Sequence, residues 1–515
     1  MKSNSIIKTA GFMAFVTLLA KGCGLIRDSL IAAHFSTGIA ADAFMTASKL
    51  PTTLFDMVVG GVISASFIPV FSYAAENQGR DKAKIFADKF ITLVFTISCV
   101  IAVFGIIFAP FLVGLLAPMF SGEKQALTVQ LTRIMFPMII FTGLAFSFVG
   151  VLQSNGEYRI PSLISLVSNL AIIAYFITLG NKFGINGLAY TMLIAWALQV
   201  AVQIPSLLRF KFIPRLNFKF FDENVKRAML LAGPMLVSTW VQPLYSIVNS
   251  RLASGIPGAV STLEYANRLY TMLVGVFSFV VTNLVFPKLA GANARGNREE
   301  SNILMVNSVK SICIVILPLM ALFIILAPSV TSIIYEHNNF NAEDAAAVSL
   351  ALRCYSVGMI GLALNEVLSK IFFSMENSKT PMINSVTSMV FNIIAAYVLF
   401  RYFKTAGLAL AAAGGSIFNA VLNGICLRRK TGGLLKRADY ADILKAVFWS
   451  AVSGAAAFAA YMLLGKYIYG SFTANCLITV ICGLIGAVIY AAGIIFTKAE
   501  PVYSAVYGFL KKEEK

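Results

Sequence analysis

Apolar runs of about 20 residues recur from one end of this chain to the other, and they end at glycine, proline, asparagine or clusters of charge. A helix of about 20 residues is long enough to cross the hydrocarbon of a bilayer, which is about 30 Å thick. Because the runs leave no soluble domain over, they predict an all-α polytopic membrane protein. We therefore expect a multi-pass protein of the cell membrane.

The runs predict about fourteen transmembrane helices. Several of them are long and carry polar residues, which favours helices that face a cavity as well as lipid. The approximate bounds of the predicted helices are 6–34, 40–73, 88–117, 127–152, 160–180, 185–208, 226–252, 260–289, 303–329, 344–372, 381–400, 405–427, 441–464 and 472–497.

The composition agrees with lipid as the main solvent, since 58% of the 515 residues are hydrophobic and 12% are charged. The net charge of +18 could suggest nucleic acid, but the cations lie mostly in short loops, so we expect no nucleic-acid partner. The seven cysteines form no C-x-x-C pair, which argues against disulfide or metal roles. His34 and His337 lie far apart and no P-loop or other catalytic motif is present, so we expect neither an enzyme nor a cofactor.

The cations between the predicted helices are concentrated in alternate loops. By the positive-inside rule, these loops, the segment 209–227 and both termini are predicted to be cytoplasmic, whereas the acidic loop 329–345 faces out. The predicted cytoplasmic loops contain Arg80, Lys82, Lys84, Lys89, Arg209, Lys211, Arg215, Lys219, Lys226, Arg227, Lys288, Arg295, Arg298, Arg428, Arg429, Lys430, Lys436 and Arg437. The opposite loops contain only Lys124, Lys182, Arg401, Lys404 and Lys466.

Similar residues recur at an offset of about 220 residues, which indicates an internal repeat. Two parallel six-helix lobes, helices 1–6 and 7–12, would then flank a central cavity, and two C-terminal helices would follow. The matching positions are Arg133 with Arg353, Pro161 with Pro381, Gly187 with Gly407, Lys49 with Arg268, and Pro69 with Pro287. The predicted domains are 1–208 (N-lobe), 209–227 (cytoplasmic linker), 228–430 (C-lobe) and 431–515 (helices 13 and 14 with the tail).

Ionisable residues lie inside several predicted helices, where each costs about 2.5–3.5 kcal/mol to insert. Lys21, Arg27 and Asp28 share helix 1, and Arg268 lies in helix 8. A cationic cavity wall would suit an anionic substrate, and the planar fork of Arg suits phosphate. Alternatively, these charges pair with one another or reach the membrane interface. Further candidates for the cavity or a gate are Asp42, Lys49, Asp56, Glu264 and Arg353.

The chain resembles the MurJ/MviN family, the lipid II flippases of the MOP exporter superfamily. The resemblance covers nearly the whole chain, including the two extra helices. The motifs that carry it are residues 21–28 (KGCGLIRD), 41–44 (ADAF), 66–69 (SFIP), 263–270 (LEYANRLY), 335–337 (YEH) and 377–381 (NSKTP).

The resemblance implies alternating access of two lobes, with the pyrophosphate and head group of lipid II in a cationic central cavity. Helices 13 and 14 would form a groove for the polyprenyl tail. By position, Arg27, Asp28 and Arg268 match the family's central charged set, and Lys21 stands where an Arg is usual. The implied partners are lipid II and membrane lipid, and we expect a monomer.

Two departures from the family pattern limit what is carried over. Phe55 and Gly60 stand in helix 2 where the family often has an Arg and a Glu. Asn249 and Ala396, beside a retained Asn392, stand where some members have acidic sodium ligands. We therefore expect no metal site.

Other functions remain open on the sequence. The main alternative is another MOP exporter, either a polysaccharide-unit or sporulation-type flippase. A drug/cation antiporter would need acidic residues in its cavity, whereas the highlighted positions are mainly basic. A membrane glycosyltransferase would need a sizeable extramembrane loop for its acidic site residues, and every loop here is short.

Overall fold

The computed structural model describes residues 3–60, 66–220, 222–433, 436–467 and 472–500, and over these ranges the chain is helical without a β-strand. The prediction of an all-α polytopic membrane protein is confirmed. The helices are α1 Ser3–Phe35, α2 Ile39–Phe55, α3 Ile68–Asn77, α4 Arg80–Ile107, α5 Ala109–Leu116, α6 Gly122–Met135, α7 Met138–Ser154, α8 Arg159–Thr178, α9 Gly180–Ala201, α10 Ile204–Arg209, α11 Glu223–Thr239, α12 Val241–Ala253, α13 Ala259–Ala294, α14 Arg298–Tyr335, α15 Ala342–Ser356, α16 Met359–Ser374, α17 Lys379–Thr431, α18 Arg437–Tyr467 and α19 Phe472–Phe496.

All fourteen predicted spans coincide with helices, but several are divided. Among the described residues, eight helices are long and apolar enough to cross a membrane, and the pair α15 and α16, bent by 45°, gives a ninth. The span predicted at 127–152 is interrupted because Pro137, which has no N–H to donate, stands between α6 and α7. The 53-residue α17 holds two predicted spans, which meet at a kink at Lys404.

The predicted helix 40–73 is wrong as one continuous α-helix. Pro51 lies inside α2 and removes one intrahelical hydrogen bond. The α-helix ends at Phe55, a π-helical turn follows over Asp56–Gly60, and α3 begins at Ile68. The indole Nε1 of Trp240 donates to the Met57 carbonyl in this turn at 2.6 Å.

The backbone repeats the 220-residue offset that the sequence predicted. Gly156 and Glu376 both have a positive φ, as do Gly184 and Lys404, which mark the kinks in α9 and α17. The helices α2, α6 and α8 begin at residues 39, 122 and 159, and α13, α15 and α17 begin at 259, 342 and 379. Since Glu and Lys adopt φ values that favour glycine, the fold imposes these turns in the second copy.

The chain divides into two compact units, Met1–Ser261 and Thr262–Lys515. In the first, the rings of Phe67, Phe71, Phe86 and Phe90 pack together at centroid distances of 5.0–5.9 Å in the core between α3 and α4. The helices α11 and α12 belong to this unit, so the predicted domain boundaries, which rest on the sequence repeat, stay a prediction.

In the second unit, α14 packs against α18 and α19. The small apolar core there comprises Leu326, Ala457, Ile478 and Cys482. The buried Lys310 of α14 also contacts Asp442 at 2.6 Å and Asp439 at 3.2 Å, both on α18. The first of the two C-terminal helices is thereby fastened to the second unit by charge as well as by apolar packing.

Candidate functional site

Arg27 is held on α1 by contacts from two helices. Its Nη2 lies 2.8 Å from Asp28 Oδ1, to which Nε also donates, and its Nη1 donates to Asn169 Oδ1 of α8 at 2.8 Å. Asn169 Nδ2 in turn donates to the Ala20 carbonyl at 2.9 Å, which fixes the orientation of the amide. We call Arg27, Asp28 and Asn169 the Arg27 cluster.

The Arg27 cluster leaves part of the guanidinium available. The Arg27 side chain is 21% exposed, whereas that of Asp28 is 7% exposed. Within the described part of the chain, these contacts use three of the five N–H donors of the guanidinium. An Arg whose orientation is fixed and whose other two N–H groups are not used by these contacts can donate to two oxygens of one phosphate.

Lys21 lies two turns before Asp28 on the same face of α1 and is half-buried. Glu264 and Arg268 lie one turn apart on α13, and both are half-buried beside the fully buried Tyr265. Arg27 belongs to the first compact unit and Arg268 to the second. The joint role of the two arginines in a cationic cavity, which the family resemblance implies, therefore stays a prediction.

Asp42 is fully buried and accepts four contacts. Its Oδ2 lies 2.6 Å from Lys124 Nζ and accepts the Gly258 N–H at 2.9 Å. Its Oδ1 accepts the backbone N–H of Ser261 at 2.8 Å and the Ser261 hydroxyl at 2.7 Å. The carboxylate thus lies at the N-terminus of α13, where unpaired N–H groups and the helix dipole favour an anion.

We call Asp42, Lys124, Gly258 and Ser261 the Asp42 cluster. Lys124 also lies 4.0 Å from the centre of the Phe120 ring, a cation–π contact. Gly258 has a φ of 74°, and a Cβ atom there would lie 2.7 Å from the Thr37 carbonyl oxygen. Only glycine fits this close approach, which joins the segment before α13 to the segment before α2.

The other predicted candidates lie in different surroundings. Lys49 Nζ donates to Ser250 Oγ of α12 at 3.1 Å. Asp56 is exposed at the start of the π-helical turn, and Arg353 is exposed on α15. Arg133, which matches Arg353 at the 220-residue offset, donates to the Ile106 carbonyl at 3.3 Å, near the end of α4.

Phe55, Asn249, Asn392 and Ala396, at the two departures from the family pattern, are buried, and the burial of Gly60 lies outside what the structure describes. Phe55 is 4% exposed in the core of the first unit, and its ring stacks on Phe146 at 6.0 Å. Asn392 is 6% exposed and donates to the Ala411 carbonyl at 3.1 Å, while Ala396 is fully buried. Asn249, 8% exposed, lies in the first unit. Among the described residues, no group of three or more His, Cys, Asp and Glu could hold a metal ion.

Sequence reasoning missed Asn169 and the contact partners of Asp42. Asn169 could have been found by the rule that selected Arg27, because it is a polar residue inside an apolar run. Lys124 and Ser261 carry no such signal, because they lie at helix ends where polar residues are ordinary.

Comparisons with known proteins agree on one family. A model of the family "Lipid II flippase MurJ" matches residues 31–478. A probable lipid II flippase MurJ of Rhizobium meliloti is 30% identical over 81% of this chain and 80% of its own length. The lipid II flippase MurJ of Burkholderia cenocepacia is 28% identical over 83% of this chain and 84% of its own length.

Two solved structures are similar in fold. A lipid II flippase MurJ in an inward closed conformation matches with a TM-score of 0.80 at 23% identity, covering 94% of this chain and 98% of that one. An inward-facing multidrug resistance MATE family transporter of the MOP superfamily matches with a TM-score of 0.63 at 16% identity, covering 82% of this chain and 95% of that one.

Proposed function

This chain belongs to the MurJ family of lipid II flippases, and we propose that Arg27 and Arg268 hold the pyrophosphate of lipid II while the chain carries it across the membrane by alternating access. Lipid II is the substrate, the protein is a transporter, and its setting is the inner membrane. The observation that carries the proposed binding role is the Arg27 cluster, in which Asp28 and Asn169 orient one guanidinium and leave donors for phosphate.

In this proposal Asp28 positions Arg27 and does not bind the substrate. A carboxylate next to an anionic pyrophosphate would repel it, unless the Arg charge lies between the two. The Asp28 contact through Arg27 Nε and Nη2 leaves part of the Nη1 edge for the ligand. Lys21 adds a point charge on the same face of α1, without the fork of an Arg.

We assign the Asp42 cluster to a gate at the outer side of the cavity. The positive-inside rule places the α1–α2 segment, the start of α6 and the α12–α13 segment on that side. The Asp42 carboxylate joins all three. Release of these contacts would let the head group leave outward, and their formation would keep the cavity closed to that side.

The remaining elements of the proposal rest on the predicted topology and on the family resemblance. Both termini lie in the cytoplasm, and the protein acts as a monomer, with the polyprenyl tail against helices 13 and 14. The cations of the cavity attract the anionic head group without a bound cofactor.

Depletion of the protein in its source organism tests the substrate. We expect lipid II to accumulate on the cytoplasmic side when the wild-type gene is switched off, and to be cleared when it is restored. Mass spectrometry of lipid-linked precursors in cells and in right-side-out vesicles provides the measurement. Accumulation of a different lipid-linked oligosaccharide, with lipid II unchanged, would instead identify a polysaccharide-unit flippase.

A further inference from the structure

The segment before α11 is a strap that combines cations with large apolar side chains. We define the strap as residues 209–220; its sequence, RFKFIPRLNFKF, contains four cations and no acidic residue. From residue 212 to residue 220 it forms no helix. Ile213, Leu216 and Phe218 are 56%, 67% and 62% exposed, and the cations Lys211, Arg215 and Lys219 beside them are exposed too.

The strap is fastened to α4 through its backbone. The N–H of Arg215 donates to Asp88 Oδ1 at 3.0 Å, and the N–H of Asn217 donates to Thr92 Oγ1 at 2.9 Å. Phe212 is buried in the core of the first unit. Because these contacts use backbone groups, the side chains of Arg215, Leu216 and Phe218 stay available to face away from the protein.

The first acidic residue after the strap in the sequence is already engaged. Asp222 Oδ2 lies 2.6 Å from Lys89 Nζ, and Asp222 Oδ1 accepts the Val225 N–H at 2.9 Å. Burial acts to raise the pKa of Asp222, but the hydrogen bonds from Lys89 and from backbone N–H groups outweigh it and keep that pKa below its ordinary value. This carboxylate therefore pairs with Lys89. Asp88 attracts the Arg215 charge but is itself buried, and the side chains of Lys211, Arg215 and Lys219 stay exposed to another partner.

The level of the strap in the membrane follows from its contacts. It touches α4 at residues 88 and 92, and the apolar run of that helix begins at about residue 88. The strap thus lies where hydrocarbon gives way to head groups. Exposed Leu and Phe side chains would be unfavourable in water at this point, but they are favourable in the acyl boundary, with cations directed at lipid phosphates.

We propose that the strap is a membrane-surface anchor that binds anionic phospholipid head groups of the cytoplasmic leaflet through Lys211, Arg215 and Lys219, while Leu216 and Phe218 insert among the acyl chains. The cytoplasmic side is the one that the positive-inside rule assigns to residues 209–227. The partner is thus the surrounding lipid and differs from the transported substrate, so this inference is independent of the proposed binding role of Arg27.

Tryptophan quenching by brominated lipids tests the anchor in the full chain. A Phe218→Trp variant is reconstituted in phosphatidylcholine vesicles with brominated phosphatidylglycerol or brominated phosphatidylcholine, and the signal of the chain's three native Trp residues is subtracted. We expect quenching by both lipids, with brominated phosphatidylglycerol more effective. Absence of quenching would show that the strap lies in water, and equal quenching by the two lipids would show no charge preference; either result overturns the proposal.

Paired charge variants of Phe218→Trp identify the cations responsible. The double variant Arg215→Gln, Lys219→Gln should bind phosphatidylglycerol less strongly relative to phosphatidylcholine. We expect this preference to fall by about fivefold for each cation removed. The backbone bonds to Asp88 and Thr92 do not depend on these side chains, so the strap should stay in place. Arg295→Gln with Arg298→Gln removes the same charge from a loop on the same predicted side that lacks large apolar neighbours. An unchanged preference in the first pair, or an equal loss in the control pair, contradicts the proposal.

Discussion

Replacement of Arg27 by Ala has two effects, which a second substitution separates. It removes the guanidinium from the proposed pyrophosphate site, and it removes the partner that lies 2.8 Å from the buried Asp28 carboxylate. Loss of one partner of a buried ion pair costs about 3–5 kcal/mol, because the other charge stays desolvated. Arg27→Ala should therefore lower both function and the amount of folded protein.

Arg27→Ala combined with Asp28→Asn separates these effects, because the buried negative charge disappears together with the cation. We expect the double variant to regain much of the membrane abundance lost in Arg27→Ala, yet to fail in complementation. The loss of a hydrogen bond to a charged group, about 1.5–3 kcal/mol, corresponds to a decrease of about 10-fold to 150-fold in substrate binding. Arg27→Lys should restore function only in part, since the charge returns without the fork.

The assay compares membrane abundance, thermal unfolding of the purified protein and growth after depletion of the wild-type gene. Asn169→Ala is the matched variant, since it removes the Nη1 contact and leaves the Arg27–Asp28 pair intact. We expect its binding of lipid II to weaken with little loss of abundance. Normal growth of the Arg27→Ala, Asp28→Asn double variant would refute the role of Arg27 in holding the substrate.

Three further predictions concern the gate, the topology and coupling. Asp42→Asn removes the ion pair with Lys124 and should raise the rate at which a Thr262→Cys variant, at a position where Thr262 is 5% exposed, reacts with an impermeant maleimide added outside; an unchanged rate would contradict the gate. A reporter at Asn338 should be labelled from outside and one at Asn217 only after permeabilisation. The reverse pattern would show that the predicted orientation in the membrane is wrong. Transport should proceed without sodium, because Asn249 supplies no carboxylate; strict sodium dependence would contradict this.

Apolar length predicted the helices of this chain well, and local chemistry explains where it failed. A hydrophobic run reports that a segment is buried in lipid, but it does not report interruptions inside the run. Pro137 and the Val357-Gly358 pair divide runs that read as single helices. The residues of the π-helical turn after Phe55 give no such signal, whereas the kink at Lys404 lies between the predicted spans 381–400 and 405–427.

The sequence signal for the candidate site is an ionisable residue inside an apolar run, and the role of these residues in binding stays a prediction. Arg27 and Asp28 are adjacent in sequence and form the ion pair that this position allows. The Asp42 cluster brings together residues 42, 124, 258 and 261, which are separated by up to 219 positions. Sequence alone identifies Asp42 as a charge that needs a partner, but only the fold selects that partner.

The internal repeat duplicates the backbone of this protein without duplicating the Arg27 cluster. At the 220-residue offset, Arg27, Asp28 and Asn169 correspond to Ile247, Val248 and Met389, so the Arg27 cluster occurs once. Lipid II is itself asymmetric, with a charged head group at one end and an apolar tail at the other. An Arg27 cluster in both copies would offer a pyrophosphate two competing positions, whereas a cluster in one copy defines a single orientation. The duplicated helices thus supply two copies of one backbone, and the differences between the copies supply the polarity that transport of such a lipid requires.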